Sequence, residues 1–384
     1  FPSLSFSTSQ QVVNRPYQET SSRVSGSEII SSNSKTSYNG NYGLNASWTI
    51  YNGSKRLKTL KQERLNNQVA ELDVATSENT IKESIAQIYI QILYAAESVR
   101  VNENTLQVSI AQRDRGQELL NAGSIAKSDF AQLEAQVSTD RYQLVTAQAT
   151  LQDYKLQLKQ LLELDGENEM NVYLPKLSDE NVLAPLPAKK DVYVSALAIR
   201  PEIEASKLNV EASELGIDIA KSSYFPTISL SAGIGTNHTS GSDFTFGEQV
   251  KNGWNNSIGL SVSVPIFNNR QTKSAVQKAK LQRETDMLSL LDEQKALYKT
   301  IESLWLDANS AQQRYAAANE KLRSTQISYD LISEQFNLGM KNTVELLTEK
   351  NNLLQAQQEQ LQAKYMAILN TQLLKFYQGD KLTL

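Results

Sequence analysis

Phe225-Pro226-Thr227-Ile228-Ser229-Leu230-Ser231 has a second copy in the same chain, the opening run Phe1-Pro2-Ser3-Leu4-Ser5-Phe6-Ser7. In both copies apolar residues alternate with serine or threonine, the period of a strand with one apolar face. A second pair of stretches agrees: Gly43-Leu44-Asn45-Ala46-Ser47-Trp48-Thr49-Ile50-Tyr51-Asn52 reads against Gly259-Leu260-Ser261-Val262-Ser263-Val264-Pro265-Ile266-Phe267-Asn268. The offset of this second pair, 216 residues, also sets Gly123 on Gly339, Asp129 on Glu345 and Phe130 on Leu346. The chain is an internal repeat, and equal spacing means that both halves build one pattern with equal reach.

The 384 residues are 40% hydrophobic and 21% charged, with a net charge of -4. Soluble proteins of two or three domains share this composition with membrane β-barrels, in which only alternate residues face lipid. The longest apolar window, Ile88 to Ala96, is short and broken by Gln91, which argues against a transmembrane helix. There is no cysteine, which excludes disulfides, thiolate nucleophiles and cysteine-ligated metals and leaves the compartment open. The charge balance gives no pull toward nucleic acid. A chain that begins Phe-Pro, without an initiator Met or a signal peptide, reads as a processed or trimmed form.

Working outward from the first repeat, Leu4 and Phe6 face one way and Ser3, Ser5 and Ser7 the other. Gln10 to Asn41, crowded with Ser and Asn, has the composition of a long exposed loop. Tyr42, Leu44, Ala46, Trp48 and Ile50 then alternate with Gly43, Asn45, Ser47 and Thr49, a strand of about ten residues, the length that crosses a bilayer when tilted. In the second half Ile228, Leu230, Ala232 and Ile234 alternate, a loop runs from about Asn237 to Asn256, and Ile258, Leu260, Val262, Val264 and Ile266 alternate again. The result is four strands in two hairpins.

Between the hairpins the period becomes helical. Ser54 to about Asn121 holds no proline and one glycine, Gly116, with Ile81, Ile85, Ile88, Ile92 and Leu93 at helical spacing. Its counterpart runs from about Asn269 to Phe336, and each makes a rod of roughly 100 Å at 1.5 Å per residue. The rods end at glycine turns, Asn121-Ala122-Gly123 and Asn337-Leu338-Gly339, suited to a left-handed cap before the chain reverses. Returning helices follow, Asp129 to about Leu164 and Thr343 to about Gln378, roughly half as long as the rods. A further helix from Val192 to Ser223, with Pro201 near its start, supplies the missing length if it stacks end to end on a returning helix. The first half lacks this leading helix, so the repeat predicts that roughly 30 to 40 residues preceded Phe1.

The expected organisation is a first β-hairpin (1–53), a first long helical hairpin (54–164), an equatorial linker (165–191) marked by Pro175, Pro185 and Pro187, and a helix leading into the second repeat (192–224). A second β-hairpin (225–268), a second long helical hairpin (269–378) and a short tail (379–384) complete it. The fold class is mixed α and β, mainly α, with an internal two-fold repeat. Four strands cannot close a barrel, for which about eight is the lower limit, so other copies must complete it. A dimer gives eight strands and a filled interior, a trimer about twelve and an open lumen. The rods' narrow apolar stripes, flanked by Gln, Asn, Ser and Lys, suit helices packed side by side into a hollow cylinder. A membrane barrel continued by such a cylinder is a duct. The competing class, a soluble or surface coiled-coil scaffold without transport activity, explains the rods but leaves the membrane-length strands and duplicated loops unexplained.

Two further stretches carry a family resemblance. Arg200-Pro201-Glu202-Ile203, leading through Ala220-Lys221-Ser222-Ser223-Tyr224 into Phe225-Pro226-Thr227-Ile228-Ser229-Leu230, resembles a motif of the TolC-family outer-membrane efflux proteins. So does Phe336-Asn337-Leu338-Gly339-Met340-Lys341-Asn342-Thr343-Val344-Glu345-Leu346-Leu347, and the resemblance covers essentially the whole chain. It implies an α-barrel of long helical hairpins and a β-barrel of about twelve strands shared by a homotrimer, set in a Gram-negative outer membrane with the rods crossing the periplasm. The implied partners are outer-membrane lipid, a periplasmic adaptor protein and an inner-membrane transporter, with no nucleic acid. The implied function is the exit duct of a tripartite efflux or type I secretion system, gated at the periplasmic helix tips.

The tips hold the candidate site residues. Asp129 and Glu345 stand in the first turns of helices, where the macrodipole favours a carboxylate whatever the function. Under three-fold symmetry they also form rings at one constriction, which favours cations. The resemblance places an entrance gate at Asp129, Glu345, Lys341 and Phe336. Phe336 and Lys341 take the places of the family's tyrosine and arginine, without the hydroxyl or the bidentate fork. Thr348 replaces a further acid, and together these differences imply a looser or differently closed entrance. Gly123 and Gly339 serve as caps, and Ser124, Ile125, Leu338 and Met340 beside them are candidates for docking an adaptor's helical hairpin. Tyr42, Trp48, Tyr51 and Phe267, near strand ends, fit an aromatic girdle and also plain β propensity. His238, the only histidine, lies beside Asn237 and Thr239 without the company of a metal site. No phosphate loop, dinucleotide fingerprint, nucleophile arrangement or glycosidase carboxylate pair is present, so the chain reads as no enzyme and needs no cofactor.

Overall fold

A computed structural model describes residues 2–17, 21–25, 28–32, 35–164, 170–175, 182–240, 242 and 244–382. The chain divides into two compact units, Phe1–Asn67 with Leu208–Met287, and Gln68–Lys207 with Leu288–Leu384.

In chain order the strands are β1 (Ser3–Asn14), β2 (Ser21–Ser25), β3 (Glu28–Ser32), β4 (Thr36–Asn52), β5 (Thr227–Thr239) and β6 (Asn255–Ser263). The first unit is built on an antiparallel sheet in the order β1-β4-β5-β6, and β2 pairs with β3 in a separate two-stranded sheet. The expected loop from Gln10 to Asn41 is thereby corrected: β1 continues to Asn14 and β4 already starts at Thr36. Both faces of this part of the sheet are mostly polar, so the sequence shows little alternation there. Backbone pairing carries it, with Val12 opposite Tyr38 and Asn14 opposite Thr36.

The helices in chain order are α1 (Lys55–Asn121), α2 (Lys127–Leu161), α3 (Lys189–Ile199), α4 (Pro201–Ser222), α5 (Phe246–Asn252), α6 (Gln271–Asn337) and α7 (Thr343–Gln378). The repeat is reproduced in length: α1 and α6 have 67 residues each, α2 has 35 and α7 has 36. The loop expected between Asn237 and Asn256 instead contains α5. There the Glu248 N–H donates to Thr245 Oγ1 at 3.4 Å and the Glu248 carboxylate accepts from the Thr245 N–H at 2.8 Å, a reciprocal cap.

Each strand-to-rod joint is a pair of left-handed residues, Gly53 (φ 65°) with Ser54 (φ 63°) and Asn269 (φ 51°) with Arg270 (φ 60°). A Cβ on Gly53 would approach the Ser222 carbonyl oxygen to 2.6 Å, so glycine is required for space as well as for φ. The repeat therefore extends to the backbone conformation of its turns.

The single helix expected from Val192 to Ser223 is two. Arg200 precedes proline, whose ring disfavours the helical region for the residue before it. Its backbone is extended (φ -74°, ψ 124°), ending α3, and α4 starts at Pro201. In the second unit this break turns the Arg200 side chain inward, to Glu202 at 2.7 Å and Glu83 at 3.2 Å, with the guanidinium 4.3 Å from the Tyr377 ring centroid. Burial pushes the Glu83 carboxyl above its ordinary range against the pull of Arg200, and lifts the Tyr377 hydroxyl to about 12. Gly379 (φ 109°), the left-handed cap of α7, lies against Ile199 at the end of α3.

The core of this unit joins Ile90 and Leu93 of α1, Tyr315 of α6 and Ile368 and Leu373 of α7, and a second cluster joins Val192, Ala196 and Ile203 to Ile301 and Leu374. Side chains of this kind contribute roughly 1.5–3 kcal/mol each on burial. Elsewhere the same unit buries a charged group: Lys350 of α7 donates to Asp140 of α2 and to Ser109 of α1, Ser109 donates to Asp140, and Gln136 donates to the same carboxylate at 2.8 Å. Lys350 is 3% exposed and Asp140 1%. Desolvation holds the Lys350 ammonium below its ordinary range, while the bond to Asp140 opposes it.

Removing one member of such a group leaves the other charge buried and unpaired. Lys350→Met should therefore cost about 3–5 kcal/mol of stability. The triple replacement Ser109→Ala, Asp140→Leu, Lys350→Met should recover most of that loss, since an apolar trio leaves no buried charge unpaired. Thermal melts followed by helical circular dichroism separate the two, and equal losses in both variants would contradict the burial argument.

Candidate functional site

The register of the sheet puts like residues in rows. Leu4, Ala46, Ala232 and Ile258 form one row across the four strands, and Trp48, Leu230 and Leu260 continue the same face. The opposite face carries Ser3, Ser47, Ser231 and Gly259 in one row and Ser5, Asn45, Gly233 and Ser257 in the next. A bulge between Thr49 and Tyr51 preserves the separation: Ile50 is the extra residue, and Tyr51 lands beside Ile228 and Val262 on the apolar face.

The apolar face is uncovered. Leu4 is 70% exposed, Phe6 68%, Leu260 64% and Ile258 83%. Contiguous apolar area of this kind marks contact with a partner or a membrane. The outer strands of the sheet, β1 and β6, each have one unpaired edge, a template for another chain.

The aromatic residues expected near strand ends divide. Trp48 and Tyr51 lie on the apolar face where β4 approaches α1, and Phe267 is exposed beyond the end of β6. Tyr42 lies inside β4, since that strand starts at Thr36. Its ring stacks on His238 at 5.9 Å and meets Phe246 of α5 edge-on at 6.4 Å, and its hydroxyl accepts from Gln10 at 3.0 Å. His238 fills the notch over Gly40, where an added Cβ would lie 2.2 Å from its Cε1. This packing accounts for the histidine.

In the second unit the two turns are built alike. Gly123 (φ 74°) and Gly339 (φ 75°) close α1 and α6 with matching bonds, Ser124 N–H to the Leu119 carbonyl and Met340 N–H to the Gln335 carbonyl, both 2.8 Å. Open space surrounds both glycines, so conformation alone requires them. The following helix starts differ. Asp129 accepts from the Ala126 N–H at 3.3 Å, but alanine has no side-chain oxygen to return the bond. Asn342 does: its Oδ1 accepts from the Glu345 N–H at 2.9 Å, and the Glu345 carboxylate accepts from the Asn342 N–H at 3.2 Å.

Lys341 donates to the other oxygen of Glu345 at 2.5 Å. Its charge is thus spent inside its own turn. Phe336 is 3% exposed, so it supports the turn from beneath and does not line an opening within the chain. Leu338 (74%) and Met340 (70%) are the outward apolar residues of this turn. At the other turn Gly123 and Ser124 are exposed and Ile125 is half-buried. The Ser109–Asp140–Lys350 group, which ties the first helical hairpin to the second, was missed because a lone Lys, Asp or Ser on a long polar helix carries no sign of burial.

The Lys341 ammonium and the Asn342 N–H together hold the Glu345 carboxyl below its ordinary 4.5. A depressed value means that the cap's contribution is complete above pH 4.5 and is lost as pH falls below it through the lowered value. Lys341→Met should move the Glu345 titration midpoint back toward 4.5, measurable on ¹³C-labelled glutamate carboxyls. An unmoved midpoint would show that Lys341 does not engage it.

The chain matches the family model described as outer membrane efflux protein over residues 1–163 and 192–379. It is 26% identical over 294 residues to the outer membrane efflux protein BepC of Brucella suis biovar 1 (strain 1330), covering 76% of this chain and 61% of that protein. With the outer membrane protein TolC of Escherichia coli (strain K12) it shares 24% identity over 341 residues, covering 85% of this chain and 66% of that one. The chain spans just under two thirds of the length of these relatives. A crystal structure of CusC superposes with a TM-score of 0.80 at 19% identity, over 99% of this chain and 84% of that one. The outer membrane protein VceC of Vibrio cholerae gives 0.77 at 16% identity, over 100% and 88%. The fold of the chain is the fold of these proteins.

Proposed function

Because the chain belongs to the outer membrane efflux protein family, we propose that it is the outer-membrane exit duct of a tripartite efflux or type I secretion system. The observation that carries this reading is the sheet: one face apolar and uncovered, the other serine, asparagine and glycine, and both edges open. Hydrocarbon satisfies the apolar face without a second protein layer, and a closed barrel satisfies the edges. Four strands per chain reach about twelve in a homotrimer, the smallest assembly of copies that leaves an open lumen. A soluble scaffold gives the uncovered face no partner.

The long helices then carry the passage into the periplasm, where the turns at Gly123 and Gly339 meet a periplasmic adaptor and, beyond it, an inner-membrane transporter. Ser124, Ile125, Leu338 and Met340 offer the docking surface. Asp129 and Glu345 surround the entrance, with Lys341 tempering the Glu345 charge and Phe336 fixing its turn. Trp48, Tyr51 and Phe267 lie at the periplasmic side of the apolar band, as a girdle requires.

Paired substitutions on adjacent residues test the orientation. Leu260→Lys faces lipid and should cost about 2–4 kcal/mol of folding into vesicles, while Ser261→Lys, facing the lumen, should cost little. Equal costs, or a wild-type protein that stays monodisperse without detergent and forms no conducting pores in planar bilayers, would overturn the duct reading.

A further inference from the structure

The four strands of the sheet, of 12, 17, 13 and 9 residues, contain no Asp, Glu, Lys or Arg. In a chain that is 21% charged, a sample of this size would ordinarily hold about ten. The absence covers both faces, although only the apolar face is denied charge by lipid. On the polar face every row is uncharged, as in Ser3, Ser47, Ser231 and Gly259. Charges resume where the strands end, at Arg15 after β1, Lys35 before β4 and Arg56 in the first turn of α1.

Three hydroxyls of this face are turned onto the sheet itself. Ser3 Oγ donates to the Ser47 carbonyl at 3.3 Å, Ser5 Oγ to the Asn45 carbonyl at 3.4 Å and Ser231 Oγ to the Gly259 carbonyl at 3.3 Å. Their protons are occupied, and the wall has no cation with which to hold a carboxylate or phosphate. It has no anion with which to hold a metal ion or an amine. Rings of charged side chains are what give a pore its preference for one sign of ion, and none can form here. The side chains are also small, which leaves the lumen wide.

We propose that the polar face of the sheet is a charge-neutral exit wall that takes hydrophilic cargo of either sign or of mixed sign, and that discrimination by charge is left to the parts of the chain outside these four strands. This inference rests on the duct reading. It assigns the four strands a permissive role and leaves ion preference to Asp129, Glu345 and the other charges outside them.

The chain contains no cysteine, so a single thiol at Ser231→Cys reports on the wall without background. Full-length protein in planar bilayers is treated from the extracellular side with a cationic and an anionic methanethiosulfonate reagent, and the rate of conductance change is measured for each. The ratio of the two rates, divided by the ratio for a free thiol in solution, reads the local potential. A neutral wall predicts a value within about twofold of one, whereas a fixed charge of several kT would shift it tenfold or more. A tenfold bias in either direction overturns the neutral wall while leaving the duct intact. A conducting channel whose thiol reacts with neither reagent places Ser231 off the lumen and also overturns the inference. Protein that inserts but never conducts removes the duct reading itself, and the neutral wall with it.

Discussion

An antiparallel sheet that gathers leucine, isoleucine, phenylalanine and tryptophan on one face must hide that face, and the described residues pack no second layer against most of it. In water the cost grows with every exposed apolar square ångström. In a bilayer the same face is at no disadvantage, and the unsatisfied backbone groups at the edges of the sheet become the problem instead. Closing the sheet with further copies resolves both. The bulge at Ile50 shows how tightly the constraint acts: were Ile50 paired in regular alternation instead of bulged out, Tyr51 would turn to the serine face and Asn52 to the apolar one.

The helices answer a different constraint. Two rods of 67 residues each reverse at left-handed glycines of almost identical φ, and each begins at a left-handed pair. Matching lengths and matching joints keep the two halves in step. The halves differ where function is expected. The second turn has a complete reciprocal cap and an ion pair inside it, whereas the first has only half a cap. One turn is thus more firmly closed than its twin, and the buried Ser109–Asp140–Lys350 group ties the two hairpins together above them.

Much of this was legible in the sequence because two signals are strong. Alternation over ten residues and glycine after a proline-free helical run each have one structural solution, so the strands at Leu44–Ile50 and Ile228–Ile234 and the turns at Gly123 and Gly339 could be read directly. What escaped did so for physical reasons. The outer part of the sheet, Gln10–Asn14 with Thr36–Asn41, is polar on both faces for the most part and is held by backbone bonds that any sequence can make. The break at Arg200 was signalled by Pro201, and the short helix α5 by Thr245 three residues before Glu248, but both signals are local and were outweighed by their surroundings. The burial of Phe336 within the chain is a further case: its place in a motif points to an entrance, and no motif records burial.

The central claim is that adjacent residues of one strand face lipid and water alternately. A spin-label scan of β6 tests it most directly, and the cysteine-free chain permits each label to be placed singly. Labels at Ile258, Leu260 and Val262 in vesicles should be accessible to oxygen and shielded from a water-soluble nickel chelate, and labels at Ser257, Ser261 and Ser263 should show the reverse. A chelate reaching both sets equally would mean that the apolar face is not in a membrane, and the account of the chain as a duct would be wrong.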